Sequence, residues 1–225
     1  MKGNNKGNTP KPEQSNELIE YKDFFITQKN KTVSVKNFGE KSAFLNSFFF
    51  DYLKNYNIPI AYLKTNGKRS LEFLKFVTYP FRIKILNNAD PRTSKIFPIK
   101  PGEPFELPIH EFHFGDSKDS FISESHIISF NFCNYDELKL MNRFSSKINA
   151  VIKSFFERRN VSLVELTCIF GKFDGKIYLV GDFSPMSIKI MDLRHNEKPS
   201  DLYKIETSAQ IKKYTDYLFK LTSGD

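Results

Sequence analysis

Tryptophan is absent from this chain, and cysteine occurs only twice in 225 residues, as Cys133 and Cys168. Two cysteines make no disulfide framework, and the pair suits a reducing compartment. No apolar run approaches the roughly 18 residues of a membrane-spanning helix, which excludes a helical membrane protein. The opening stretch, Met1-Lys-Gly-Asn-Asn-Lys6, lacks the apolar core of a secretion leader. A cytoplasmic location is therefore expected. Glycine is scarce, at ten residues, and forms neither a Gly-x-Gly-x-x-Gly run nor a phosphate loop; Gly67-Lys68 reads only as a turn.

What the chain has in quantity is phenylalanine, 24 residues, with 10 tyrosines, so aromatic rings must build its core. Hydrophobic residues make up 40% and charged residues 27%, an ordinary globular balance for one large domain or two small lobes. The net charge is +8. A nucleic-acid binder gathers such charge in a stripe over adjacent phosphates. Here the basic residues are dispersed, in doublets at most (Lys68-Arg69, Arg158-Arg159, Lys212-Lys213). That argues for a solvated surface and against a nucleic-acid partner.

Residues 1–16 hold almost nothing apolar and predict a disordered tail. Phe44, Leu45, Phe48, Phe49, Tyr52 and Leu53 predict a helix over 41–56, stopped by Asn57-Ile58-Pro59. Residues 73–86 predict strands broken near Pro80, and five prolines from Pro91 to Pro108 predict a long loop over 89–108. A short strand over 107–114 follows. Leu138, Met141, Phe144, Ile148, Val151, Ile152 and Phe155 predict a helix over 135–159, capped by Asn134 and Glu137. Strands over 161–170 and 176–183 flank Asp174-Gly175, a strong hairpin signal. A last helix is expected over about 204–221. This mixed order argues for an α+β fold with a sheet covered on one face.

His110 and His113 look like a metal pair, but three residues apart on a strand they point to opposite faces. His126 and His195 are isolated. Cys168 falls with Val164, Leu166 and Phe170 on the apolar face of its strand. The other face carries Glu165 and Thr167, and the partner strand ends in Asp182, Ser184 and Pro185. Carboxylates on adjacent strands can hold a divalent metal on a nucleotide. The same pattern also fits an ordinary solvent-facing side of a sheet.

Val164-Glu-Leu-Thr-Cys-Ile-Phe-Gly171, Asp174-Gly175, Leu179-Val-Gly-Asp-Phe-Ser-Pro185 and Asp192 resemble the signature stretch of the SAICAR synthetase family. The likeness extends collinearly over about residues 35–222. It takes in Phe49 to Pro59, Ile85-Leu86-Asn87, Pro108 to Phe112, Lys118-Asp119 to Ile127 and 137–159. The resemblance implies a kinase-like, two-lobed fold, with a small β-rich lobe over 17–86 and a larger α+β lobe over 87–225. It also implies a ligase that uses ATP and Mg²⁺ to join aspartate to a carboxylated aminoimidazole ribotide.

Carried over residue by residue, the family's metal aspartate falls on Gly181, its neighbouring glutamate on Asp182 and the aspartate after Ser-Pro on Met186. The Asp, Lys and Glu of the preceding strand fall on Glu165, Thr167 and Ile169. One arginine falls on Leu86 and another on Lys189, while the amino-terminal loop leaves Tyr21-Lys22. The resemblance thus implies Glu165, Asp182 and Lys189 as replacement catalytic residues, with Asp182 as the metal candidate. It implies Lys22, Asn87, Asp119 and Ser184 as contacts to nucleotide or substrate. The expectation drawn from so many altered positions is a divergent member that has lost or altered the ligase reaction. Such a protein would bind a nucleotide, a purine intermediate or a protein partner, and homo-oligomers fit the family. The alternative is an active ligase with a rebuilt site.

Overall fold

The computed structural model describes residues 16–27, 31–115, 120–192, 203 and 205–224. The segment expected as a tail lies, up to residue 15, outside them. The architecture is α+β. Strand β1 (Asn16–Glu20) leads through a short hairpin, β2 (Phe24–Ile26) and β3 (Thr32–Ser34), to helix α1 (Phe38–Lys54). β4 (Tyr62–Thr65) and β5 (Ser70–Leu74) join β1 in an antiparallel sheet of order β1-β5-β4. A larger antiparallel sheet holds β6 (Val77–Asn88), β7 (Pro104–Phe114), β8 (Phe121–Ile122), β9 (Val161–Phe173), β10 (Lys176–Leu179) and β11 (Ile188–Asp192). Its order is β10-β9-β6-β7-β8, and β11 also pairs with β9. Helices α2 (Thr93–Ile96), α3 (Glu124–Ser129), α4 (Tyr135–Glu157) and α5 (Ser208–Ser223) complete the chain. No described helix is long and apolar enough to cross a membrane.

The two sheets meet at one joint. The N–H of Leu179 donates to the carbonyl of Pro59 at 2.8 Å, and the Leu179 carbonyl accepts the N–H of Ala61 at 3.1 Å. Phe49, Phe50, Leu53, Phe73 and Phe183 pack beside that joint in a continuous aromatic core.

α4 is capped as expected: the Asn134 side chain accepts the Glu137 N–H, and Glu137 reaches back to the Asn134 N–H. Met141, Ile148 and Ile152 of this helix are fully buried. The β9–β10 turn places Asp174 at φ 47° and Gly175 at φ 71°, the paired left-handed conformations of a tight hairpin.

Three expectations need correcting. Pro80 does not break its strand. The ladder from β6 to β9 slips between Thr78 and Arg82, and this bulge tolerates the missing N–H. The break falls instead at Lys75-Phe76, so β6 runs to Asn88 in the larger sheet. The expected loop over 89–108 contains α2 and the start of β7. The last helix starts at Ser208 because the Thr207 hydroxyl caps it by accepting the Gln210 N–H.

α1 begins earlier than expected because its cap comes from afar. Asn37 offers no side-chain cap; the Asp23 carboxylate accepts the Gly39 N–H at 2.8 Å and pairs with Arg69 at 2.9 Å. That hydrogen bond, with a smaller contribution from Arg69, holds the Asp23 carboxyl below its ordinary pKa. Glycine is required here, since a Cβ on Gly39 would lie 2.2 Å from the Tyr21 carbonyl oxygen.

Candidate active site

Alternation along the strands sorts the larger sheet into two faces. Ile83 and Ile85 of β6, and Leu166, Cys168 and Phe170 of β9, enter the core. Cys168 is buried, and that burial pushes its thiol up to about 12. Lys84 of β6, Glu111 and His113 of β7, and Glu165, Thr167 and Ile169 of β9 are left on the opposite face. His110 turns the other way and meets Ser146 of α4 at 3.4 Å, so the two histidines share no ion. The register sets Lys84 beside Glu111 and Thr167, and Glu165 beside Lys189 of β11.

Three carboxylates converge on Lys84. Its Nζ lies 3.1 Å from Glu165, 3.5 Å from Asp90 and 3.9 Å from Glu111. Burial alone would lower the Lys84 pKa, but the three negative charges outweigh it and the net shift is upward. Asp90 accepts the Thr93 N–H at 2.7 Å; burial would raise its pKa, yet Thr93 and the nearby cations hold it low. Arg92 donates to Glu111, lies over the Phe121 ring and stays half-exposed. His113 stands 3.2 Å from Glu111 and 3.4 Å from Ser120. Lys189 is 2% exposed and donates to the Pro185 carbonyl. Burial lowers its pKa to about 8, with Glu165 pulling up and Lys84 pushing down. Burial, then Glu165 and Asp90, raise the Tyr203 phenol.

The structure therefore brings Glu165 and Lys189 together, keeps Asp182 with Ser184, and sets Asn87 and Lys22 elsewhere. Asp182 is half-buried beside α1. Its Oδ1 accepts from Asn46 at 3.4 Å, and its pKa is raised by burial against the hydrogen bonds of Ser184 and Asn46. Ser184 fixes the turn after it, giving its N–H to Ser187 Oγ at 2.9 Å and accepting the Met186 N–H at 3.2 Å. Asn87 is buried against α4 in a reciprocal amide pair with Asn149 at 2.8 and 2.9 Å. Lys22 is exposed between β1 and β2. Asp119 lies outside the described residues. Lys84, Asp90 and Arg92 were not expected in the site. The available signal was a lysine between Ile83 and Ile85 in a strand that reads as core.

At two of the positions where the resemblance places carboxylates, 169 and 181, the side chains present cannot ligate a metal. Ile169 offers no donor atom. A Cβ on Gly181 would lie 2.8 Å from both the Cβ and the backbone nitrogen of Ile169. Among the described residues, no three His, Cys, Asp or Glu side chains are grouped to hold a metal ion. An ammonium group, Lys84, meets the three floor carboxylates instead.

These features define a class: an α+β protein with a small antiparallel sheet joined to a larger one, whose second face carries a dense, largely buried charged floor. A profile of the SAICAR synthetase family matches residues 12–213. The chain belongs to that family. It is 26% identical over 186 residues to a phosphoribosylaminoimidazole-succinocarboxamide synthase of Acidithiobacillus ferrooxidans, covering 81% of this chain and 78% of the relative. The corresponding synthase of Staphylococcus aureus is 27% identical over 215 residues, with 92% of each chain covered. The fold matches a SAICAR synthetase from Pyrococcus horikoshii OT3 with a TM-score of 0.82 at 21% identity, covering 95% of both chains. It also matches a SAICAR synthetase solved in complex with ADP, TM-score 0.82 at 21% identity, covering 93% of this chain and 91% of the other.

Proposed function

We propose that this chain is an ATP-dependent ligase of the SAICAR synthetase kind, joining aspartate to a carboxylated aminoimidazole ribotide at a rebuilt site. The observation that carries this reading is the Lys84 network on the sheet floor. Buried charges are costly and are not kept for stability alone, because well-packed apolar groups would serve as well or better. A largely buried cluster of ion pairs with one half-exposed member, Arg92, is therefore a functional-site candidate. In this reading Lys84 and the half-exposed Arg92 meet the anionic groups of the substrates. Glu111 and Glu165 hold those cations in place, and Lys189 supplies a further positive charge beneath the floor. The sequence relatives named as synthases, and the ADP held by a structural neighbour, support ATP as co-substrate. Ile169 and Gly181 do not fit a protein-held Mg²⁺, so no step is assigned to a metal held there. A phosphate-release assay with ATP, aspartate and the carboxylated ribotide tests the reading. Release that needs all three substrates, and falls in Lys84→Met, is expected. No release above background from the folded protein sinks it.

One observation favours a second reading, that of a family member which binds without performing the ligase reaction. Ile169 packs where a carboxylate would have to stand beside position 181. The ligand would then be a nucleotide, a purine intermediate or a protein partner, a second copy of the chain included. Calorimetry with ATP separates the two: tight binding without phosphate release, in the presence of both other substrates, selects the second reading.

A further inference from the structure

Taking the charged floor as the substrate site, as proposed above, we infer that His113 is a positioning residue. It fixes Arg92, through Glu111 and Phe121, so that the guanidinium holds one oxyanion of a substrate, a carboxylate or a phosphate. The strands bring these groups together. Glu111 and His113 stand two apart on β7 and so share its floor face, and β8 sets Phe121 directly opposite His113.

Arg92 keeps 45% of its side chain exposed and is held from two directions. Its Nη2 donates to Glu111 Oε1, and its guanidinium carbon lies 5.1 Å from the centroid of Phe121. His113 touches both supports. Its Nε2 stands 3.2 Å from Glu111 Oε2, and its ring meets Phe121 edge-on with centroids 6.0 Å apart. A carboxylate oxygen only accepts, so Nε2 carries the proton in this contact. Nδ1 is then left to accept from the Ser120 hydroxyl at 3.4 Å. The row Ser120, His113, Glu111, Arg92 thus runs from a buried hydroxyl to a half-exposed cation, with Ser120 and Glu111 only 7% and 6% exposed.

A free arginine loses much rotamer freedom when a ligand orders it, and that loss weakens binding. Here the carboxylate fixes one nitrogen and the ring one face before any ligand arrives. The remaining N–H donors suit a group with two acceptor oxygens, which is the geometry of a carboxylate or a phosphate. Glu111 alone would not keep this arrangement. A carboxylate turns easily about its last torsion, and Lys84, 3.9 Å from Oε2, is a loose tether. The imidazole holds Oε2 and so keeps Oε1 turned to Arg92.

Steady-state kinetics on the full chain, with ATP, aspartate and the carboxylated ribotide varied in turn, tests this. His113→Phe keeps a ring against Phe121 but has no donor. It should raise one KM about tenfold, the worth of one hydrogen bond to a charged group, and leave kcat within about twofold. Whether aspartate's KM or the ribotide's moves tells which oxyanion Arg92 holds. His113→Gln, which can still donate to Glu111, should restore most of the loss. Arg92→Gln should raise the same KM, and His113→Phe added to it should do little more, because the imidazole acts only through the guanidinium. Ser120→Ala should shift that KM by a smaller factor, and it carries the test if urea unfolding shows His113→Phe to be unfolded. Phenylglyoxal, which modifies arginine, gives a readout apart from turnover. Inorganic phosphate or aspartate, tried separately, should slow modification of Arg92, followed by peptide mass spectrometry, and His113→Phe should need about tenfold more of either. Such protection without phosphate release from the wild type would sink the ligase reading and keep the role of His113. That role is overturned by a folded His113→Phe protein with every KM and the protection unchanged. A His113→Gln protein no better than His113→Phe, or losses in His113→Phe and Arg92→Gln that simply add, would overturn it as well.

Discussion

The N–H of Gly181 donates to the carbonyl of Ile169 at 3.1 Å, and a Cβ on Gly181 would collide with both the side chain and the backbone of Ile169 at 2.8 Å. The strand β9 and the segment after β10 are thus zipped together with no room between them. Gly181→Asp, the change that would restore the family's residue, should destabilise the protein by about 1–3 kcal/mol through overpacking. Adding Ile169→Ala should recover little of that loss, because alanine keeps the Cβ and the backbone nitrogen that a Cβ at 181 would meet. Urea unfolding checks this, and a Gly181→Asp protein that unfolds at the wild-type midpoint would contradict it.

Lys84 is the counter-charge for Asp90, Glu111 and Glu165, so Lys84→Met should cost about 3–5 kcal/mol at neutral pH, the usual penalty for orphaning buried charges. The loss should shrink as the pH falls, because the three carboxylates can then protonate. In the wild type the upward shift of Lys84 has the opposite limb: its contribution is present below its unfolded pKa and is lost as the pH rises through the folded one. Denaturant titrations of both proteins across acidic and alkaline pH read both limbs. A variant as stable as wild type at neutral pH would show that the network does not depend on this lysine.

These two sites differ in how far they could be read from the chain. α4 was legible because its apolar residues recur at 3–4 spacing and Asn134 and Glu137 sit at the capping positions, all within one local window. The β9–β10 hairpin was legible for the same reason, through Asp174-Gly175. The α+β class and the family resemblance rest on such local signals in order. The start of α1 was not legible, since its cap is Asp23, far back in the chain. The Lys84 network was hidden more deeply, because it assembles residues from β6, β7, β9 and the α2 region by strand register. Asn87 shows the converse. It stands in the expected motif, yet its partner is Asn149 of α4, and no local pattern tells which way it turns.

That amide pair is itself testable. Asn87 and Asn149 satisfy one another inside the core, each donating its Nδ2 to the other's Oδ1. Asn87→Ala or Asn149→Ala alone leaves a buried amide without a partner and should cost about 1–3 kcal/mol beyond the loss of packing. The double substitution removes both polar groups and should cost clearly less than the two single losses combined. Additive losses would mean that water or other groups satisfy each amide independently.

Lys189 should give stability an unusual slope on the alkaline side. Its folded pKa is near 8, against 10.5 for an ordinary lysine, because burial opposes the charge. Below pH 8 the folded and unfolded states both hold the proton, and the full cost of the buried charge is present. Between these two values the unfolded state binds more protons, so stability attributable to this residue rises with pH. Lys189→Met lacks the titration. At neutral pH the variant should be favoured, relative to wild type, by the whole of this penalty. The gap should then close by about 3 kcal/mol as the pH approaches 10.5. The difference between the two proteins isolates the effect, because Lys84 and the tyrosines titrate in both. Urea unfolding of the pair at intervals across this range measures it. A gap that stays constant or widens with pH would show that Lys189 keeps its proton in the folded protein, held by Glu165 against the cost of burial.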